Sequence, residues 1–183
     1  MSSQSKIILN SEQLSLTINR LSFEIIENHK NFQNSVIVGI QPRGVFLCNK
    51  IHSILELNTK HQIKSGCLDT TFFRDDFRRR NDIIIPNHTN IDFSLEGVNV
   101  ILIDDVLFTG RSIRSALDAL VSFGRPASVE LLVLIDRRFS RELPIQPKYI
   151  GKSVDVIDNE YVVVNLDVKN SNVLLLNEKA WNI

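Results

Sequence analysis

Apolar positions along this chain keep two different rhythms. Leu14, Ile18, Leu21, Ile25 and Phe32 recur at helical spacing and leave Asn19, Arg20, Glu24 and Glu27 facing water. That predicts an amphipathic helix, with a short strand, Lys6 to Leu9, before it and Ser11 as its N-cap. Val36-Ile37-Val38-Gly39-Ile40 is instead an unbroken run rich in β-branched residues, the pattern of a strand covered on both faces. Gln41-Pro42-Arg43-Gly44 breaks the run, and Val45 to Leu57 predicts a second helix. Ile63 to Phe73 alternates loosely and predicts another strand, with Gly66 its weak point. Arg74 to Asn90 is polar and without a clear period, a loop or extended hairpin. Val98 to Ile103 predicts a strand, and Ser112 to Phe123 a helix stopped by Gly124-Arg125-Pro126. Val129 to Ile135 is a further strand, and Arg137 to Ile150, with Pro144 and Pro147, reads as loop. Tyr161 to Leu166 and Val173 to Leu176 close the chain as strands.

Strands alternate with helices from Ser35 to Ile135, which implies right-handed βαβ crossovers and a mainly parallel sheet in an α/β fold. Ligands bind such sheets beyond the carboxyl ends of the strands. Three loops are expected there: Gln41 to Gly44, Asp104 to Ser112, and Asp136 to Arg138. A chain of 183 residues without internal repeat, low-complexity tract or linker reads as one domain over 1–183.

Composition narrows the partners. Basic and acidic residues balance at 21 each, so no global field draws the chain to nucleic acid or membrane, and a polyanion must meet a local basic patch. Cys48 and Cys67 have neither CxxC spacing nor metal-type neighbours and read as reduced thiols of a cytoplasmic protein. The N-terminus has no apolar core of signal-peptide length and no run approaches a membrane span, so no membrane partner is expected. His29, His52, His61 and His88 are scattered without metal-ligand spacing.

The chemistry concentrates in VILIDDVLFTGRS, Val100 to Ser112. Leu107, Phe108, Thr109, Gly110, Arg111 and Ser112 can wrap a phosphate: Gly110 permits close backbone approach, Thr109 and Ser112 offer hydroxyls, and the next helix presents free N–H groups. The GxxxxGK[ST] pattern of nucleoside-triphosphate loops is absent. Asp104 and Asp105 suit a sugar diol, or a magnesium ion held through ligand oxygens and waters, and would repel a phosphate placed on them. Two aspartates alone would be only an acidic strand end before a capped helix. The whole stretch fits a phosphorylated ribose, its hydroxyls by the aspartates and its 5′-phosphate in the loop.

This stretch resembles the phosphoribosyl pyrophosphate (PRPP) motif of type I phosphoribosyltransferases through both aspartates and the TGRS loop. Gln41-Pro42-Arg43-Gly44 resembles the pyrophosphate loop of the same fold, with Arg43 and the loop amides on the leaving group. LDTTFFRDD, Leu68 to Asp76, is similar to the LDITLYRDD stretch of the bifunctional pyrimidine operon attenuator/uracil phosphoribosyltransferase family. DALVSFGRPASVELLVLIDR, Asp118 to Arg137, and RELPIQPKYIGK, Arg141 to Lys152, resemble that family too. The resemblance runs from about Ile7 to Leu166. It implies a type I phosphoribosyltransferase-like parallel sheet flanked by helices, with a small hood, assembled as homodimers or higher homo-oligomers. It also implies uracil and PRPP as substrates, UMP and pyrophosphate as products, and Mg2+ arriving with PRPP near Asp104 and Asp105, with no metal held by protein ligands alone. Asp104, Asp105 and Arg43 would carry catalysis, and no dedicated general base stands out. Arg74, Asp75 and Asp76, followed by Arg78-Arg79-Arg80, would begin a lid. Asp136, Arg137 and Arg138 would lie by the base, with nearby backbone groups reading the uracil edge.

RNA binding is the second function the resemblance raises. Attenuators of the family carry Thr-Arg-x-x-His on the first helix, where this chain has Asn19-Arg20-Leu21-Ser22-Phe23 and keeps only the arginine. Phe23 lacks the hydrogen bonds a histidine offers. Gln146 stands where the regulators have a further arginine, and DRRFSR, Asp136 to Arg141, runs one residue longer than their DRGHR form. Arg20, Arg141 and Lys152 remain as a candidate RNA face. Fewer cations mean fewer phosphate contacts, so the enzyme ranks ahead of a UMP-dependent RNA-binding attenuator. A transferase for another base, a purine or orotate, is the other alternative.

Overall fold

The computed structural model describes residues 5–75, 87–156, 160–167 and 171–177. In chain order it holds β1 (Lys6–Leu9), α1 (Ser11–His29), β2 (Ser35–Ile40), α2 (Arg43–Thr59), β3 (Ser65–Leu68) and β4 (Asn99–Leu107). Then follow α3 (Arg111–Leu120), β5 (Ser128–Arg138), β6 (Tyr149–Asp155), β7 (Glu160–Asn165) and β8 (Asn172–Asn177). A five-stranded sheet in the order β3-β2-β4-β5-β6 is parallel throughout. A three-stranded antiparallel sheet, β1-β8-β7, forms the small hood.

The unbroken apolar runs have a simple cause. Successive strand residues point to opposite faces, and here both faces are covered. Ile37, Ile101, Ile103, Leu132 and Leu134 pack with Leu21 and Ile25 of α1 and Leu47 and Ile51 of α2. Their neighbours Val38, Val100, Leu102, Leu131 and Val133 pack with Ile113, Ala116 and Leu120 of α3. Cys48 sits in the first of these layers, where burial and the neighbouring Cys67 push its thiol up to about 12 and leave it unreactive.

Several element boundaries differ from the expected ones. Asn10, not Ser11, caps α1: its side chain accepts from Gln13 N at 2.8 Å, and Gln13 Oε1 accepts from Asn10 N at 3.1 Å. The strand expected over Ile63 to Phe73 is confined to Ser65–Leu68. Asp69 ends it by accepting from Thr71 N at 3.1 Å and Thr71 Oγ1 at 2.6 Å, which turns the chain into a short 3-10 segment at Thr71–Phe73. β4 runs on to Leu107, so both aspartates belong to the strand itself. The stretch expected as loop up to Ile150 instead leads into β6, which pairs with β5 from Leu132↔Tyr149 to Arg138↔Asp155. Gly151, Lys152 and Ser153 dilute its apolar pattern, and pairing with a central strand supplies what propensity does not.

At the end of the sheet away from the site, His29 bridges Ser35 Oγ (2.8 Å) and Glu130 Oε2 (2.9 Å). Glu130 also accepts from Tyr149 OH and Lys148 Nζ, each at 2.7 Å. Burial by itself would push Glu130 up, but the bonds from Lys148, Tyr149 and His29 outweigh it and hold the carboxyl below its ordinary range. A carboxylate with a lowered folded pKa stabilises the protein above its unfolded pKa, and that contribution fades as pH falls through the folded value. Glu130→Gln is therefore expected to cost about 1–3 kcal/mol at neutral pH and progressively less in acid. Denaturant unfolding of both proteins across pH checks this; a cost independent of pH would contradict it.

Candidate active site at the carboxyl edge of the parallel sheet

Parallel pairing of β2, β4 and β5 brings their carboxyl ends to one edge. The three segments singled out in the sequence therefore meet there, but Asp136 to Arg138, expected as a loop, is the last part of β5 itself, paired with Ser153 to Asp155 of β6. Gln41 N donates to Leu68 O at 2.9 Å and its side chain to His88 O at 3.2 Å, fixing the first loop against β3. The Gln41–Pro42 peptide is cis, and Arg43 opens α2 directly behind it. A Cβ added at Gly44 would collide with Ile103 O and lie 3.1 Å from Asp104 Cα. Only glycine lets this helix start rest on the acidic strand end.

Asp104 is half-buried and Asp105 is buried, with Asp104 Oδ1 accepting from Asp105 N at 3.0 Å. Asp105 Oδ2 is buried with no hydrogen-bond partner. Burial, then the charge of Asp105, pushes Asp104 well above the usual carboxylate range, with Arg43 pulling the other way. Burial also raises Asp105, again against Arg43. Burial thus disfavours ionisation of the pair, and a cation or hydrogen-bond donor placed on it would favour it. A cavity of about 270 Å³ opens between Arg43, Phe46 and Asp105 on one side and Val163 to Asp167 of the hood on the other. Two other cavities, of about 410 and 540 Å³, lie beside Lys50 and beside His52 and Asp92, away from these aspartates.

The loop after β4 is braced from outside. Gly110 takes a positive φ of 92° and leads into α3, whose first turn has no side-chain cap. Arg111 does not point at the loop's centre: its Nε donates to Glu142 Oε2 at 2.6 Å and its Nη1 pairs with Asp75. A phosphate would therefore be held by backbone N–H groups and by the hydroxyls of Thr109 and Ser112. Phe108 is half-exposed, with the Arg137 guanidinium 4.0 Å from its ring centroid. Arg137 is buried, burial lowers its pKa, and its Nε has no partner. Arg138 turns outward into a two-pronged pair with Asp155 at 2.7 and 2.8 Å. Asp136 accepts from Arg141.

Other expected residues are distributed as follows. Arg74 is half-buried at the end of the 3-10 segment, and Asp75 reaches Arg111. Asp76 and Arg78-Arg79-Arg80 lie outside the described residues. Arg20 donates to Ile150 O at 2.9 Å and Gly151 O at 2.7 Å, and Lys152 Nζ to Ile8 O at 3.1 Å. Those two share the region where α1, β1 and β6 meet, and Arg141 does not join them. Phe46, Glu142 and the hood residues Val163 to Asp167 were not expected at the site from sequence. Asp167 did leave a signal, a carboxylate just past a strand end, the same pattern as Ile135-Asp136.

Comparison with known proteins agrees with this geometry. The phosphoribosyl transferase domain family matches residues 4–171. The bifunctional protein PyrR of Actinobacillus pleuropneumoniae is 43% identical over 87% of this chain and 88% of its own. That of Caldicellulosiruptor bescii is 42% identical over 88% of each chain. Among solved structures, a hypoxanthine phosphoribosyl transferase of Trypanosoma cruzi superposes with a TM-score of 0.72 at 17% identity, covering 100% of this chain and 96% of its own. One from Staphylococcus aureus gives 0.67 at 20% identity over 96% and 94%. The structural likenesses establish the fold alone. With the acidic pair, the phosphate loop and the Arg43 loop assembled at one sheet edge, and relatives this similar along most of the chain, the protein belongs to the phosphoribosyltransferase family and, within it, to the bifunctional PyrR group.

Proposed function

We propose that this phosphoribosyltransferase, read as one domain, uses uracil as its acceptor and converts uracil and PRPP into UMP and pyrophosphate. The observation that carries the reading is the joint placement of Asp104-Asp105, the Thr109 to Ser112 loop and Arg43 at one edge of the sheet. The uracil assignment rests on the Leu68 to Asp76 stretch and on the PyrR relatives.

In the reaction the bond between C1′ and the pyrophosphate oxygen breaks, N1 of uracil bonds to C1′, and the N1 proton passes to solvent. The ribose becomes oxocarbenium-like while the leaving group gathers charge. Placement and charge neutralisation therefore do most of the work. The loop and the start of α3 hold the 5′-phosphate, the aspartates orient the ribose hydroxyls, and Arg43 meets the pyrophosphate. Magnesium fits this donor set: Asp105 Oδ2 is a buried oxygen without a partner, Asp104 lies beside it, and PRPP would add further hard oxygens. When bound with PRPP, the ion would neutralise leaving-group charge near Asp104 and Asp105. Incubation with uracil, PRPP and magnesium is expected to give UMP and pyrophosphate in equal amounts. PRPP breakdown without UMP would refute the assignment.

A regulatory RNA-binding role is favoured by the bifunctional relatives and by Arg20, whose side chain is half-exposed. Phe23, where the attenuators have histidine, is exposed on the same helix and offers no donor. Filter binding to the cognate leader RNA, with and without UMP, tests the role. Nanomolar, UMP-enhanced binding would place regulation ahead of catalysis.

A further inference from the structure

Arg141 was grouped by sequence with Arg20 and Lys152, but the fold gives its side chain a different task. Arg141 turns under the phosphate loop, donating through Nη1 to the Phe108 carbonyl and through Nη2 to the Asp136 carboxylate. Its side chain is 23% exposed and that of Asp136 12%, so the charged pair is largely shielded from water.

The residues after Arg141 press on the same loop. Glu142 N and Leu143 N both donate to Thr109 O, at 3.0 and 3.2 Å. Glu142 Oε2 accepts from Arg111. Above Gly110, a Cβ would lie 3.2 Å from Ile145 Cδ1 and 3.5 Å from Leu143 Cβ, so this segment also roofs the turn. Ile145 N donates to Leu143 O at 2.7 Å and tightens the segment itself.

Peptide planarity turns these contacts into chemistry. In a trans peptide the carbonyl and the following N–H point in opposite directions. The peptides after Phe108 and Thr109 are trans, and both carbonyls are tied on the side of the 141–143 segment. The N–H groups of Thr109 and Gly110 are thereby aimed the other way. Neither meets an acceptor among the described residues. Two aligned donors beside the start of α3 form a site for an anionic phosphate oxygen.

We propose that Arg141 is a positioning residue for phosphoribosyl transfer, holding the 5′-phosphate loop in register with the end of β5 without touching substrate. The proposal rests on the phosphoribosyl site described above and is independent of the acceptor base. Calorimetric titrations with PRPP and with pyrophosphate, both with magnesium, separate the loop from the Arg43 side. Arg141→Met is expected to weaken PRPP binding by about tenfold or more and to change pyrophosphate binding less than about twofold. Arg141→Lys, which can reach only one of the two acceptors, should recover part of the loss, and Asp136→Asn should weaken PRPP less than Arg141→Met. If Arg141→Met does not fold, the PRPP-to-pyrophosphate ratio of Arg141→Lys decides instead. Equal weakening of both ligands, or none, would overturn the proposal. So would loss of leader-RNA binding with PRPP binding intact, which would return Arg141 to an RNA face. Absence of PRPP binding by the unaltered protein would sink the phosphoribosyl reading and this proposal together, whereas failure of uracil as acceptor would touch only the base assignment.

Discussion

Asp105→Asn is expected to lower uracil-dependent pyrophosphate release by well over about tenfold while raising thermal stability. The two effects share one cause. Asp105 is 7% exposed and its Oδ2 has no partner, so burial pushes its pKa up. A carboxyl whose folded pKa is raised stabilises the fold only below its unfolded pKa, and that contribution is lost as pH rises through the folded value. At neutral pH, ionising the pair is thus a cost to the fold. A neutral amide removes about 1–3 kcal/mol of it, and the melting temperature should rise by a few degrees. The gain should shrink in acid, where the native carboxyl is protonated anyway. Because ribose hydroxyls and magnesium bound as proposed would favour the ionised pair, PRPP affinity of the unaltered protein should rise with pH over the same range. Thermal melts and pyrophosphate release on the two proteins check both halves. An unchanged rate would remove Asp105 from the chemistry, and a lowered melting temperature would show that its carboxylate is not a cost to the fold.

Arg43→Met should have the other large effect, about a hundredfold or more on turnover. Arg43 follows the Gln41–Pro42 turn at the start of α2, where it lines the cavity shared with Asp105. In the proposed reaction its first role would be to meet the leaving pyrophosphate. Its second is electrostatic, since Arg43 is the side-chain charge that lowers both aspartates. Removing it should therefore shift the rise of PRPP affinity to higher pH besides slowing turnover. Arg43→Lys keeps the charge but not the forked geometry, and should restore the pH dependence better than the rate. Steady-state kinetics of the three proteins across pH provide the check. Loss of rate with an unmoved pH profile would confine Arg43 to the leaving group.

The parallel sheet and the site were legible in the sequence for different reasons. Val36 to Ile40 and Val100 to Ile103 announce strands because both faces of each are buried, and strands of that kind are bounded by the loops that bind ligands. Gly44 and Gly110 sit in recognisable motifs because the backbone there admits no other side chain without strain or collision. What the sequence concealed depends on partners far along the chain. β6 exists because β5 offers it a ladder, and its own residues alternate poorly. Asp167 reaches the site only because the hood lies opposite the start of α2, which carries Arg43 and Phe46. Arg141 illustrates the limit best. A cation in a polar stretch reads as surface, and only the tertiary fold shows its two acceptors, Phe108 O and Asp136, on separate strand ends.

Everything proposed for this site turns on transfer of phosphoribosyl from PRPP to uracil. Pyrophosphate release from PRPP, measured with uracil, orotate, hypoxanthine and guanine in parallel at equal concentration, tests it most directly. Magnesium-dependent release with uracil, yielding UMP, is expected, with little from the other three. Release driven by a purine or by orotate, with uracil inert, would contradict it.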